Sequence, residues 1–233
     1  MERRHEPTRL EGFSDAVFGF ALTLLVVSLE LPESTEKLLE LMMTFAPVGL
    51  MFAMICWIWY EHQKFFRHYG LQDAWTVTIN CFLLFVILFY VYPMKFLTLG
   101  LYHLSIGAAT PGTGMDARSD IVMLLYSSGV ILIFGSFVLM YNNAWRKRKA
   151  LGLTLAEETT LHFNQRGHVI SMGLGIASIA IVLIGRKIHY QQAPFFAGVI
   201  YALMGPLHGW NGYSAGKAHA ILKKKTAESD AKR

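Results

Sequence analysis

The fold class depends on how residues 9–32, RLEGFSDAVFGFALTLLVVSLELP, are interpreted. This stretch contains a short apolar run with a carboxylate at each end. Asp15 and Glu30 flank 14 uncharged residues, and at about 1.5 Å per residue they lie roughly 22 Å apart along a helix. A membrane core needs about 20 apolar residues, so the run alone also fits a buried soluble helix. A secretory signal is disfavoured, because the run leads into Leu31, Pro32 and Glu33 rather than a small-residue cleavage site. We predict a first membrane span with polar ends.

The rest of the chain has the composition of a membrane protein, since 54% of its 233 residues are hydrophobic and only 16% are charged. Five uncharged stretches are long enough to cross a bilayer: 41–60, 74–94, 121–145, 167–185 and 189–215. We therefore predict an all-α integral membrane protein with six transmembrane helices in one domain, residues 1–216, and a basic tail at 217–233. The predicted spans are about 10–31, 41–66, 72–99, 119–145, 166–186 and 193–215.

Lysines and arginines are concentrated in alternate connections of this arrangement. The segments before span one, after spans two and six, and between spans four and five contain Arg3, Arg4, Arg9, Lys64, Arg67, Arg146, Lys147, Arg148, Lys149, Arg166, Lys223, Lys224 and Lys225. Such residues are enriched on the cytoplasmic side, so both termini are predicted to be cytoplasmic in a multi-pass cell-membrane protein. The net charge of +5 thus orients the chain in the lipid bilayer, and no nucleic-acid partner is predicted.

Two connections between the predicted spans are long. Residues 146–166 begin with a basic run and are either a solvated connector or a short amphipathic helix at the headgroup surface. Residues 100–120 are rich in Gly, Ala, Thr and Pro and are predicted to be irregular.

Sequence motifs of enzymes are absent. The chain has no His-Glu-x-x-His pair for zinc, no Gly-x-Ser-x-Gly elbow and no Gly-x-x-x-x-Gly-Lys-Ser/Thr phosphate loop. We predict that the protein is not an enzyme and has no cofactor and no metal site. The Thr-Val-Gly-Tyr-Gly loop of carbonyl-type potassium filters is also missing, so any ion conduction must use another construction.

The first predicted helix has two parallel stripes. Apolar residues follow spacings of four and three along one stripe: Phe13, Val17, Phe20, Leu24, Val27 and Leu31. Small or polar residues form the other: Ala16, Gly19, Thr23 and Glu30. Such stripes indicate packing against another helix or a second copy, and a ring of Leu24 side chains around a symmetry axis would form a hydrophobic constriction. An apolar stripe alone more often indicates plain helix packing than a pore, and both interpretations stay open.

The sequence RLEGFSD at 9–15 resembles the Arg-x-x-x-Phe-Ser-Asp signature of the endolysosomal potassium channel family and its bacterial relatives. The continuation AVFGFALTLLVV is similar to the pore helix of that family. Near the end of the second span, Trp59-Tyr60-Glu61-His62 resembles the family's Trp-x-x-His motif and is followed by Phe65-Phe66. Asn80 and Pro93 lie where the third span of the family has similar residues.

This resemblance implies a passive, potassium-permeable cation channel in which the first span lines a central pore and side chains form the bottleneck. A chain with one repeat implies a homotetramer, with potassium as the permeant ion. The implied constriction consists of Phe20, Leu24 and Val27, with a hydroxyl layer at Thr23. The family usually has an aliphatic residue where this chain has Phe20.

The remaining signature residues are expected to fix the first span rather than to contact the ion. Arg9 and Asp15 are too far apart to meet on one helix, so partners are expected on other spans, with His62 and Asn80 as candidates. The predicted signature and packing network is Arg9, Phe13, Ser14, Asp15, His62 and Asn80. Within this network, His62 is either a pH-sensitive group or a histidine satisfied at the interface.

Glu30 is expected at the extracellular end, either in an acidic entrance ring of four copies that concentrates cations or as an ordinary exposed carboxylate. The main alternative function is a proton-coupled secondary transporter that uses Asp15, Glu30 or His62 as proton carriers. It is disfavoured because the chain lacks two halves with matching interrupted helices.

Overall fold

The computed structural model describes residues 8–27, 32–105 and 119–230, and all regular elements in these ranges are helices. The elements are α1 (Arg9–Val27), α2 (Thr35–Met43), α3 (Phe45–Tyr69), α4 (Ala74–Ser105), α5 (Ser119–Arg146), α6 (Leu155–Lys187), α7 (Ala193–Val199), a 3₁₀ segment (Ile200–Leu203) and α8 (Met204–Asp230).

Four helices in the described ranges are long and apolar enough to cross a membrane: α1, the 74–96 part of α4, α5 and α6. A fifth span results if α2 and α3, which meet at a 45° bend, are counted as one. The all-α fold with membrane-spanning helices is thus present, and the predicted count of six spans stays a prediction. The predicted span at 193–215 is divided into α7, the 3₁₀ segment and α8, and α8 continues as a helix through the basic tail.

The helix boundaries follow local chain chemistry. The hydroxyl of Ser34 accepts a hydrogen bond from the Lys37 amide and caps the start of α2. Helix α2 ends before Thr44, so the predicted span 41–66 begins in the last residues of α2 and continues in α3. Gly70, with φ of 56°, ends α3 in the left-handed conformation that glycine adopts without strain. Thr154 and Glu157 form a capping box at the start of α6.

The capping box at Thr154 corrects the prediction for residues 146–166. This segment is neither a mere connector nor a separate surface helix, because α6 begins at Leu155 and continues without a break to Lys187. The predicted irregular segment at 100–120 is also partly helical, because α4 continues to Ser105. Residues 106–118 of that segment lie outside the described ranges.

The helices pack around α5, which lies between α4 and α6, while α6 also packs against α7 and α8. Glycines allow the closest approaches: a Cβ at Gly175 of α6 would lie 2.8 Å from Ile131 of α5. At Gly129 of α5 the ring of Tyr90 from α4 occupies the place of a side chain, and the Tyr90 hydroxyl accepts a hydrogen bond from the Gly129 amide at 2.8 Å. Small residues at such contacts are typical of helix packing in membranes. Helix α1 packs against α3 and α4 at the edge of this bundle.

Candidate functional site

The start of α1 is fixed by a capping box within the chain. The Thr8 hydroxyl accepts a hydrogen bond from the Glu11 amide at 3.2 Å, and the Glu11 carboxylate accepts one from the Thr8 amide at 2.9 Å. Both interactions satisfy amides that have no partner in the first turn of a helix. The signature segment therefore begins as helix at Arg9.

One face of α1 is buried inside the chain. It consists of residues spaced by four, three and four: Ser14, Phe18, Ala21 and Leu25. This spacing places them on a single helix face, and that face packs against α3 and α4. The pattern orients α1 about its own axis, because rotating it would expose these apolar side chains and bury the opposite face instead.

A buried chain of hydrogen bonds joins α1, α4 and α3. The Ser14 hydroxyl donates to the carbonyl of Leu10 at 2.8 Å, and the Asn80 amide nitrogen donates to the Ser14 oxygen at 2.9 Å. The Asn80 side-chain oxygen lies 2.7 Å from Nε2 of His62. Ser14, Asn80 and His62 are all buried. The structure thus brings together three of the six residues of the predicted network.

The direction of this chain determines the tautomer of His62. A carbonyl only accepts, so the Ser14 proton is used on Leu10 and its oxygen accepts from Asn80. The amide oxygen of Asn80 also only accepts, so Nε2 of His62 carries the proton. Nδ1 of His62 is buried and has no hydrogen-bond partner in the described part of the chain.

Aromatic rings and a second hydrogen bond complete the contacts of α1. The His62 ring lies 4.7 Å from Phe66 and 5.4 Å from Phe18, measured between ring centroids. Asp15 accepts a hydrogen bond at 2.7 Å from Nε1 of Trp59, one turn before His62 on α3. The role of Trp59 was not predicted, although it belongs to the Trp-x-x-His motif that was recognised.

The other signature residues lie outside this chain. Arg9 is exposed in the single chain, and its place in the packing network stays a prediction. Phe13 is also exposed, on the side of α1 that faces away from α3 and α4. Glu30 falls outside the described residues.

The opposite face of α1 is apolar and uncovered. Phe20 is 57% exposed and Val27 is 70% exposed, while Leu24 is half-buried. Thr23 is exposed on the same side, and its hydroxyl donates to the carbonyl of Gly19 at 2.9 Å. The Thr23 hydroxyl proton is donated within the helix, so the Thr23 oxygen can act only as an acceptor toward other groups.

In the described ranges, no three His, Cys, Asp or Glu side chains are grouped as metal ligands. The polar groups at α1 instead bond to one another and fix helix positions.

Comparison with protein families connects this geometry to known proteins. The family model described as "Endosomal/lysosomal potassium channel TMEM175" matches residues 9–93, the segment that contains α1, the buried hydrogen-bond chain and most of α4.

Two relatives are described as potassium channels. A protein from Marivirga tractuosa is 34% identical over 213 residues, which cover 88% of this chain and 86% of the relative. A protein from Chamaesiphon minutus is 24% identical over 165 residues, which cover 67% of this chain and 73% of the relative.

Solved structures resemble the fold over most of its length. A crystal structure of a variant of the potassium channel MtTMEM175, bound to a nanobody fusion, has a TM-score of 0.79 and 33% identity and covers 93% of this chain and 97% of that one. The structure of a lysosomal potassium-selective channel TMEM175 homolog from Chamaesiphon minutus has a TM-score of 0.55 and 20% identity, with 84% and 96% covered, and supports the fold alone.

Proposed function

The chain belongs to the TMEM175 family of potassium channels, and from this premise we propose that potassium passes along α1 at the centre of a homotetramer. As a potassium channel it is not an enzyme. Conduction is passive, and the narrowest part of the pore consists of apolar side chains of α1 rather than backbone carbonyls.

The observation that carries this proposal is the uneven burial of α1. Only 22% of its most apolar 18 residues are buried inside the chain, against 50% for α4. The uncovered face holds apolar residues and the Thr23 hydroxyl together, a combination that a lipid-facing helix does not need. Four copies of this face around an axis give a pore, and the single repeat in the chain accounts for four subunits.

Within that pore, Leu24 and Val27 form hydrophobic layers, and Thr23 supplies a hydroxyl layer beside Leu24. A narrow apolar constriction opposes ion passage by excluding water, so small changes in the position of α1 control conduction. Phe20 faces the same side and is a further layer unless its ring turns along the helix. The oxygen of Thr23 offers a lone pair to a partly dehydrated cation.

The buried hydrogen bonds at the other face act as positioning elements. Asn80 and His62 hold Ser14, while Trp59 holds Asp15, so α1 is fixed to both α3 and α4. Buried hydrogen bonds between helices favour one arrangement of those helices, because a displaced helix would leave the bonded side chains without partners. This network therefore fixes the radius at which Leu24 stands from the pore axis.

The proposed membrane topology has six spans, counting α2 with α3 and α7 with α8, and places both termini in the cytoplasm of the cell. Its support is the concentration of basic residues in alternate connections. Here α8 would start in the membrane and leave it on the cytoplasmic side, where its sequence becomes basic.

Reconstitution tests the function directly. Purified protein in potassium-loaded vesicles is expected to release potassium when a proton shunt balances the charge, at a rate that rises linearly with the driving force. Vesicles without protein provide the control. Saturable uptake of a solute driven by a pH gradient, with no potassium current, would instead support a proton-coupled transporter. Particle mass in detergent tests the assembly, since a monomer contradicts a central pore.

A further inference from the structure

Two aromatic side chains on the outer face of α8 each carry a basic group. The guanidinium of Arg166, from α6, lies 4.5 Å from the ring centroid of Trp210, and the ammonium of Lys217 lies 4.5 Å from that of Tyr213. Trp210, Tyr213 and Lys217 follow a spacing of three and four, which places them on one helix face. Both aromatic rings are more than half exposed. These four residues are called the basic aromatic surface.

Arg166 fixes the depth of this surface relative to the bilayer. It is the last charged residue before the uncharged stretch 167–185, whose helical length of about 28 Å matches the hydrocarbon core. Arg166 therefore lies at one membrane interface, with Arg186 at the other. Since Trp210 packs on Arg166, the aromatic ring lies at the level of the lipid headgroups, where Trp and Tyr side chains are favoured.

The charge of this surface is not balanced by acidic residues nearby in the sequence. Between Glu158 and Glu228 the chain contains neither Asp nor Glu. The Arg166 guanidinium lies over the Trp210 ring, and a guanidinium that contacts an aromatic ring through its face keeps its N–H edge for phosphate. The surface thus combines two cations with two amphipathic rings at headgroup depth.

We propose that the basic aromatic surface binds the phosphate headgroup of an anionic phospholipid. Arg166 and Lys217 contact the phosphate, and Trp210 and Tyr213 pack against the glycerol and upper acyl region. A soluble polyanion such as nucleic acid has the same sign of charge, but it has no apolar chains to lie along aromatic rings at the edge of the hydrocarbon core. The inference is independent of the pore, because it concerns the periphery of the α6–α8 pair.

Thermal unfolding of the full chain in neutral detergent tests the proposal, with phosphatidylglycerol as the probe and phosphatidylcholine as the uncharged comparison. Phosphatidylglycerol is expected to raise the Tm further than phosphatidylcholine. The double variant Arg166→Gln/Lys217→Gln is expected to raise the half-maximal lipid concentration roughly 30-fold, since each basic group near an anionic surface contributes roughly a factor of five.

The matched control is Lys223→Gln/Lys224→Gln, which removes the same charge from α8 farther from Arg166, and its lipid dependence is expected to stay that of the unchanged chain. Any of three results would overturn the proposal. The two double variants could lose the same lipid affinity, the two lipids could raise the Tm equally, or inorganic phosphate or duplex DNA could raise the Tm as much as phosphatidylglycerol does. If the first double variant does not fold, Lys217→Glu at its exposed position is compared with Lys187→Glu at the opposite interface. Only Lys217→Glu is expected to lose the rise in Tm with phosphatidylglycerol.

Discussion

The side-chain amide of Asn80 on α4 donates a hydrogen bond to the Ser14 hydroxyl of α1, 2.9 Å away, and both side chains are fully buried. This single contact connects the signature segment to the third predicted span. The Ser14 oxygen accepts this bond while its own proton is donated to the carbonyl of Leu10. The position of α1 therefore depends on an uninterrupted sequence of donors and acceptors rather than on apolar packing alone.

Removal of Asn80 is expected to destabilise the protein beyond the loss of one hydrogen bond. Asn80→Ala leaves the protonated Nε2 of His62 buried without a partner and removes the donor to the Ser14 oxygen, which predicts a loss of about 3 kcal/mol in the free energy of unfolding. Chemical unfolding in detergent measures it, with the exposed neighbour Cys81→Ala as control. In a double-mutant cycle Ser14→Ala and Asn80→Ala should be non-additive, and simple additivity would contradict a connected chain.

Leu24→Ala is expected to increase potassium conductance several-fold, because a smaller side chain widens the apolar constriction and eases its hydration. Single-channel recording or vesicle flux measures the change. Leu10→Ala is the control, since Leu10 is on the same helix but packs against the core of the chain. Equal effects of the two substitutions would remove Leu24 from the constriction.

Thr23→Val is expected to lower the preference for potassium over sodium, because valine has nearly the same shape and lacks the oxygen that contacts a partly dehydrated cation. The reversal potential under a potassium–sodium gradient measures this preference. Thr78→Val is a matched control: Thr78 is exposed on α4 and its hydroxyl also donates to a backbone carbonyl within its own helix, that of Ala74 at 2.8 Å. An unchanged reversal potential for Thr23→Val would exclude the hydroxyl layer.

Helix positions were largely predictable from the sequence because uncharged stretches reveal them directly. The fourth predicted span, 119–145, ends within one residue of α5 because charged residues stand at both ends. The start of α6 was missed by about three turns, although the capping pattern from Thr154 to Glu157 is readable in the sequence. Hydropathy identifies the part of a helix that lies in lipid, whereas capping determines where the helix begins.

Contacts between helices were predictable only where a motif identified both partners. Ser14, His62 and Asn80 were assigned to one network because the family resemblance includes them. The hydrogen bond from Trp59 to Asp15 was not anticipated, because spacing along one helix does not give the rotation of two helices about their axes. For the same reason, the contact of Tyr90 with Gly129 could not be predicted from the sequence.

Gly129→Ala is expected to destabilise the protein by about 3 kcal/mol, because the added methyl group would overlap the Tyr90 ring and displace its hydrogen bond with the backbone. Thermal unfolding in detergent measures the effect. Gly135→Ala on the same helix is the control, since its added carbon would meet only Met172 at an ordinary 3.6 Å. It should be neutral or stabilising by up to about 1 kcal/mol through helix propensity. Equal destabilisation by both changes would refute the close packing at Tyr90.

Asp73, in the turn between α3 and α4, makes the free energy of unfolding of the protein depend on pH. Burial raises the pKa of Asp73, but hydrogen bonds from Lys147, Thr76 and Asn143 outweigh it and hold the pKa below its usual value. A carboxyl group with a lowered folded-state pKa stabilises the protein above its unfolded pKa, about 3.9. That stability is lost as the pH falls through the folded-state pKa.

Asp73→Asn is therefore expected to lower the Tm at neutral pH and to flatten the decline in Tm as the pH falls below about 3.9, the pKa of an unperturbed Asp carboxyl, toward the lower folded-state pKa. Glu33→Gln is the matched control, because Glu33 pairs with Lys37 where both side chains are mostly exposed, and exposed pairs contribute little. The two variants are compared by unfolding across the pH range in one detergent. Parallel pH profiles for Asp73→Asn and the unchanged chain would show that the turn does not gain stability from the charge of Asp73.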